Sequence, residues 1–228
     1  MSQIFAHRGL HVHERENTLE AFQAAKDLGV DGIEFDVRRT LDGRLVIHHD
    51  PVADRRVIAR SLASQLPAHV ASLADALEVC RGVSINVEIK NLRHATEPTY
   101  DASGEFATQV VTMVHEANLS HAVIFSCFDF ATCVAVRSMS PSLRVGWLLD
   151  WSKSTSRAIA RAHDAGLDAV HPSHGRLSAT SRERARTLGL AVNVWTPNSP
   201  HDIGAMAALG VDAIITDDPA TALALTRP

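Results

Sequence analysis

Residues 31–51 read DGIEFDVRRTLDGRLVIHHDP. In Ile33-Glu34-Phe35-Asp36-Val37 apolar and acidic residues alternate, which predicts a strand with both carboxylates on one face. Leu45-Val46-Ile47-His48-His49 predicts a second short strand, and the Asp42-Gly43 between the two is a turn signal. A hairpin centred on Asp42 and Gly43 sets Thr40 opposite Leu45, Arg38 opposite Ile47 and Asp36 opposite His49, with the Cβ atoms of opposed residues about 5 Å apart. His48 then points away from the face that carries His49. Two carboxylates and an imidazole crowd one small region. Like charges packed together cost energy unless a cation lies between them, and a hard divalent cation takes oxygen ligands. A solvated hairpin face with the acids paired to Arg38, Arg39 and Arg44 satisfies the same pattern, so this stretch alone leaves both readings open.

The rest of the chain alternates strands and helices. Gln3 to Ala6 is a short apolar strand ending at His7-Arg8-Gly9. A helix follows, with Asn17 as N-cap, Glu20 three residues on in a capping-box arrangement, and Gly29 as its stop. Further strands are expected at 83–90, 122–126, 143–148, 168–171, 191–195 and 212–216. Helical patterns lie at 72–81, 104–118, 129–138, 152–165, 177–188, 200–209 and 219–226. A weak repeat, Leu28-Gly29-Val30-Asp31, Ala165-Gly166-Leu167-Asp168, Leu188-Gly189-Leu190-Ala191 and Leu209-Gly210-Val211-Asp212, has the sense of a glycine cap before each new strand. With the 45–49 strand set aside, eight strands remain, each followed by a helix. That count predicts an α/β fold, a (β/α)8 TIM barrel with an extra hairpin strand and a short rim insertion, residues 50–72, after the second strand. The rival, a doubly wound sheet, usually carries a glycine-rich first loop, and His-Arg-Gly is not one. Residues 91–103 form a longer polar loop placed to move over the site.

A chain of 228 residues is short for two domains and close to the ~250 of one barrel, so residues 1–228 are expected to form a single domain. The net charge of −4 gives no basic excess, which argues against nucleic acid as a partner. Three cysteines do not make a disulfide framework and point to a reducing compartment. No leader and no apolar run of bilayer length is evident, so a soluble, cytoplasmic protein without membrane insertion is expected. The oligomeric state is not readable.

In a barrel the chemistry gathers where strands end. There the pattern places His7 and Arg8, then Glu34, Asp36 and His49, then Glu88 and Lys90, then Ser126 and Phe128, His171, Trp195 with Thr196 and Asn198, and Thr216 with Asp217. Three carboxylates can hold a divalent cation. Arg matches a phosphate as a planar fork and Lys as a point charge. Two histidines can divide the proton transfers of a phosphodiester cleavage. Trp195 is expected to line a pocket, His171 to form part of its wall, Glu16 to orient Arg8, and His11 and His13 to lie on the surface. Asp217 fits equally a helix cap and a site role, and Cys127 and Cys133 fit the core.

His7-Arg8-Gly9, Glu16-Asn17-Thr18, Glu34-x-Asp36-Val37, Asp42-Gly43, His49-Asp50-Pro51, Glu88-x-Lys90, Trp195-Thr196 and Thr216-Asp217-x-Pro219 follow one another in an order that resembles the glycerophosphodiester phosphodiesterase family. The resemblance implies a barrel, a divalent ion (Mg2+ or Ca2+) and hydrolysis of a small glycerophosphodiester to glycerol 3-phosphate and an alcohol. Carried over residue by residue, it implies Glu34, Asp36 and Glu88 as metal ligands, His7 and His49 as the acid–base pair, and Arg8 and Lys90 on the phosphate. The chain departs from the family pattern at Arg15, in Ser126-Cys127-Phe128, and in a short stretch from His49 to Leu73. The short stretch implies a more open glycerol side. A lyase that forms a cyclic phosphate from a (lyso)phospholipid is the alternative enzyme class, but it calls for an apolar rim. A non-catalytic barrel binding a phosphorylated ligand has no need of both histidines.

Overall fold

The computed structural model describes residues 1–93 and 100–227. Its elements run β1 (Gln3–His7), α1 (Leu19–Leu28), β2 (Gly32–Arg39), β3 (Leu45–Ile47), β4 (Val52–Ala53), β5 (Arg56–Val57), α2 (Leu73–Val79), β6 (Ser84–Ile89), α3 (Glu105–Glu116), β7 (Val123–Cys127), α4 (Phe130–Met139), β8 (Arg144–Leu149), α5 (Thr155–Asp164), β9 (Ala169–Pro172), α6 (Ala179–Thr187), β10 (Ala191–Trp195), α7 (Pro200–Ala208), β11 (Ala213–Thr216) and α8 (Pro219–Thr226). Strands β1, β2, β6, β7, β8, β9, β10 and β11 pair in that order, all parallel, and β11 returns to β1. The sheet is thus closed, a (β/α)8 barrel as the alternation requires. No helix among the described residues is long and apolar enough to cross a membrane. Part of the expected polar loop, residues 94–99, lies outside the described residues.

Each strand has two faces of different chemistry. Residues such as Ile33, Phe35, Val37, Ile85, Val87, Val145, Val192 and Ile214 face the helices and form the main core. Phe22 of α1 meets Phe35 at 5.4 Å between ring centroids. The inward face is largely polar. Cross-strand pairs put His7 beside Glu34, Glu34 beside Asn86, Asp36 beside Glu88 and Glu88 beside Ser126. One side of the interior is apolar, where Phe5, Ala213 and Ile215 pack with Trp195.

Local signals explain where the helices begin and end. Side chains of Thr18, Ser72, Asp129, Ser178, Ser199 and Asp218 accept a hydrogen bond from a first-turn N–H of the helix that follows. The first helix corrects the sequence-based expectation: its N-cap is Thr18, with no Asn17–Glu20 box, because Asn17 is drawn into the barrel. The glycine repeat works as capping chemistry predicts. Gly29, Gly166, Gly189 and Gly210 take positive φ, and the next residue donates back to the last turn, as Val30 does to Ala25 and Leu190 to Ala185. The aspartates of the repeat have a further task. Asp31, Asp168 and Asp212 accept from the backbone N–H of Ile4, Val145 and Val192 at 2.7–2.8 Å, each securing the start of the neighbouring strand.

The hairpin register also differs from the expectation. Val37 opposes Ile47, Arg38 opposes Val46 and Arg39 opposes Leu45. Thr40 N–H bonds Arg44 O across a three-residue loop, Leu41 to Gly43, that ends in left-handed Gly43 at φ 74°. Asp42-Gly43 is therefore not the centre of a two-residue turn, and the pairing slips by one. The strand ends at Ile47, and His48 N–H bonds Asp36 O. The rim insertion carries β4, β5 and two short 3-10 turns, Ile58–Arg60 and Ala63–Gln65.

Inside the barrel, Gly146 makes room for a ring. A Cβ at this position would lie 2.2 Å from Nε2 of His171, which has 0% exposure. Gly146→Ala is expected to lower stability by about 1–3 kcal/mol through overpacking. Urea denaturation checks this, and an unchanged midpoint would show that the ring can move aside.

Candidate active site

Alternation along β2 and β6 aims Glu34, Asp36, Glu88 and Lys90 at the barrel axis, near the C-terminal ends of the strands. One carboxylate oxygen from each of Glu34, Asp36 and Glu88 can be chosen so that all three lie within 4.8 Å of one another, and all three residues are buried. Lys90 Nζ bridges two of them, 2.7 Å from Glu88 Oε1 and 3.1 Å from Asp36 Oδ1. Arg8 is the second internal cation. Its Nε is 3.4 Å from Asp36 Oδ2, while its Nη1 donates to both oxygens of Glu16 at 2.9 and 3.0 Å. Glu16 thus orients Arg8, as expected.

This packing sets the charges. Burial works to raise Asp36, but Lys90 and Arg8 outweigh it and hold the carboxyl well below the usual range. Glu34 goes the other way: burial, then Asp36 and Glu88, push it well above the ordinary carboxylate value. Lys90 is raised, since Asp36 and Glu88 outweigh the opposing effect of burial. Glu34 Oε2 accepts the Arg8 backbone N–H at 3.0 Å, whereas Oε1 is buried with no hydrogen-bond partner. The neighbouring Asn86 Oδ1 and Ser126 Oγ are also buried and unpartnered. Oxygen donors left without protons to accept, around three converging carboxylates, fit a hard divalent cation with part of its shell supplied by water or ligand.

Two imidazoles flank the cluster. His7 Nδ1 lies 2.6 Å from Asp217 Oδ1, and its Nε2 is 3.9 Å from Glu34 Oε2. His49 Nδ1 lies 2.8 Å from Asp50 Oδ1. In each case a carboxylate holds Nδ1, which leaves Nε2 as the working nitrogen. Burial, then Lys90, lower the His49 pKa. His49 lines one cavity of about 110 Å3 with His7, Arg8, Glu34, Glu88 and Lys90, despite the shifted hairpin register. Phe128 and Trp195 close its side, edge to face at 5.7 Å. Trp195 Nε1 donates to His171 O at 2.8 Å. Of the sequence-predicted site residues, His7, Arg8, Glu34, His49, Glu88, Lys90 and Trp195 thus line one cavity, with Asp36 buried against Glu34 and Glu88 beside it.

Several partners were not expected. Asp217 is no helix cap: Asp218 takes that place, and Asp217 receives His7. His11, expected on the surface, is half-buried, with Nε2 3.2 Å from Asp217 Oδ1. Asn198 Nδ2 holds the other oxygen, while Asn198 Oδ1 accepts from Asp217 N–H and Thr216 Oγ1. Asn17 donates to Asp36 Oδ2 at 2.8 Å from a left-handed backbone, φ 56°. Arg38, on the inward face of β2, donates through Nε to His49 O at 2.9 Å. His171 is corrected from pocket wall to barrel interior, where its Nε2 lies 3.0 Å from Asn193 Nδ2. Alternation that marks Glu88 and Lys90 also marks Asn86. Asn17 carried a weaker signal, the tolerance of asparagine for left-handed backbone.

Comparison with known proteins places this geometry. Residues 7–221 match the model of the glycerophosphoryl diester phosphodiesterase family. A glycerophosphodiester phosphodiesterase of Caldanaerobacter subterraneus is 28% identical, over 98% of this chain and 97% of its own. The crystal structure of a glycerophosphodiester phosphodiesterase from Thermotoga maritima superimposes with a TM-score of 0.79 at 25% identity, covering 100% of this chain and 99% of that one. A phosphodiesterase of Oleispira antarctica, solved in complex with the product sn-glycerol-3-phosphate, gives 0.86 at 20% identity, with coverage of 100% and 98%.

Proposed function

Because the chain belongs to the glycerophosphoryl diester phosphodiesterase family, and so is a phosphodiesterase, we propose that it hydrolyses small glycerophosphodiesters to glycerol 3-phosphate and an alcohol by paired histidine acid–base catalysis beside a divalent cation. One observation carries the reading: two imidazoles, each tied through Nδ1 to its own carboxylate, flank a buried cluster of three acids. Glu34, Asp36 and Glu88 would hold the ion, Mg2+ or Ca2+. Bound there, it would supply Lewis-acid stabilisation of charge building on the phosphoryl oxygens.

The chain's own groups do the rest. Arg8 and Lys90 face the cavity as fixed cations and would bind the phosphate oxygens, Arg8 held in place by Glu16. His49 is lowered in pKa, so it stands neutral near pH 7 and is fitted to take a proton from the attacking hydroxyl. His7, oriented through Nδ1 by Asp217, presents Nε2 to give a proton to the leaving alkoxide. Trp195 and Phe128 shield one side from water. The attacking hydroxyl belongs either to water or to the substrate glycerol.

Phosphorus NMR of a glycerophosphodiester incubated with the enzyme tests the reading. The expected end product is a phosphomonoester, glycerol 3-phosphate. Accumulation of a cyclic phosphate as the final product would favour the lyase instead. Asp217→Asn is expected to lower kcat by ~10–10³-fold, because Asn retains the shape but removes the charge that supports protonated His7. Steady-state kinetics with circular dichroism checks this, and a normal kcat would remove His7 as the acid.

A further inference from the structure

Beside the catalytic cavity, and sharing Phe128 with it, lies a larger groove of about 680 Å3. The smaller cavity, about 110 Å3, is scaled to a phosphate and a short polyol, so the second alcohol of a diester must extend beyond it. The groove has an aromatic floor with basic side chains lying on it. The Arg161 guanidinium carbon sits 3.8 Å from the Phe130 ring centroid and 5.5 Å from that of Trp147. Arg93 lies 4.4 Å over Tyr100. Neither guanidinium has a carboxylate oxygen within 4.0 Å among the described residues.

The acids of the groove are otherwise engaged. Asp129 accepts from Thr132 N–H, Thr132 Oγ1 and Tyr100 OH. Asp150 is paired with Lys153 and Ser152. An aromatic floor bare of charge would favour a quaternary ammonium, but these ring faces already carry guanidinium groups. A cationic headgroup would meet like charge, whereas an anionic one would meet two planar forks with no carboxylate oxygen within 4.0 Å among the described residues. We propose that this groove binds the alcohol moiety of the diester and selects alcohols that carry a phosphate of their own. The proposal rests on the phosphodiesterase reading for its catalytic consequence, though not for the binding itself.

Two measurements test it. The first compares kcat/KM for glycerophosphoinositol and glycerophosphoinositol 4-phosphate, which differ only in the distal phosphate, in wild type and Arg161→Gln. The expected result is a preference of about 10-fold or more for the phosphorylated substrate, lost in the variant. The second titrates inositol 4-phosphate alone into the protein by calorimetry, with binding expected to weaken about 10-fold in Arg161→Gln. If neither diester is cleaved yet inositol 4-phosphate binds through Arg161, the phosphodiesterase reading falls and the groove stands. If both diesters are cleaved without preference, or the variant keeps wild-type preference and affinity, the groove proposal is overturned. The same holds if inositol 4-phosphate fails to bind.

Discussion

Replacing His49 with alanine is expected to lower kcat by ~10²–10⁴-fold, the usual contribution of a positioned proton-transfer group. The fold should survive, because the His49 ring is half-exposed and sits beyond the end of β3. Its backbone is held separately, by Arg38 donating to the carbonyl oxygen. The loss should therefore fall on kcat, with the denaturation midpoint little changed. The lowered pKa adds a second signature. A base works only when neutral, so the loss of activity on acidification should set in at lower pH than an ordinary imidazole would give. Near-normal turnover by His49→Ala in steady-state assays would reject the residue as a proton-transfer group.

Asp36→Asn should have an effect of the same order or larger, and on two properties together. Both oxygens of this carboxylate face donors, Oδ1 Lys90 Nζ and Oδ2 Arg8 Nε and Asn17 Nδ2. An amide there must press its own NH2 group against at least one of them. The change also removes a buried negative charge that lies between buried Lys90 and part-buried Arg8, a disruption that costs about 3–5 kcal/mol. Divalent binding should weaken by about 10²-fold or more, and hydrolysis should fall at least as far. Calorimetric titration with Mg2+ and Ca2+, run well below the variant's unfolding temperature, separates the two effects. Chelation of wild type should abolish hydrolysis, and added metal should restore it. Undiminished metal affinity in Asp36→Asn, or full turnover in chelator, would refute the assigned ligand set.

Much of this was legible in the residues because it depends on short-range periodicity. Period-two alternation in Ile33 to Val37 and in Ile85 to Lys90 set the acids inward, and a glycine after each helix marked the return to the sheet. The register of the hairpin was less legible. Asp42-Gly43 serves either a two-residue turn or the end of a three-residue loop, and only the Thr40–Arg44 bond distinguishes them. Groups joined across the barrel were hardest to see. Asp217 meets His7 from 210 positions away, and Asn17 meets Asp36 through a loop whose path no local pattern specifies. Asp31, Asp168 and Asp212 stood in a visible repeat, yet their bonds to neighbouring strands need the closed sheet to have meaning.

The pocket that Gly146 leaves for the His171 imidazole makes these two positions a compensating pair. A methyl at 146 becomes tolerable only when 171 gives up its ring, and a smaller residue at 171 leaves a void until 146 grows. Neither substitution is accessible alone without loss, so the order in which a lineage could acquire them is constrained. Gly146→Ala combined with His171→Ser should be less harmful than the sum of the two single changes.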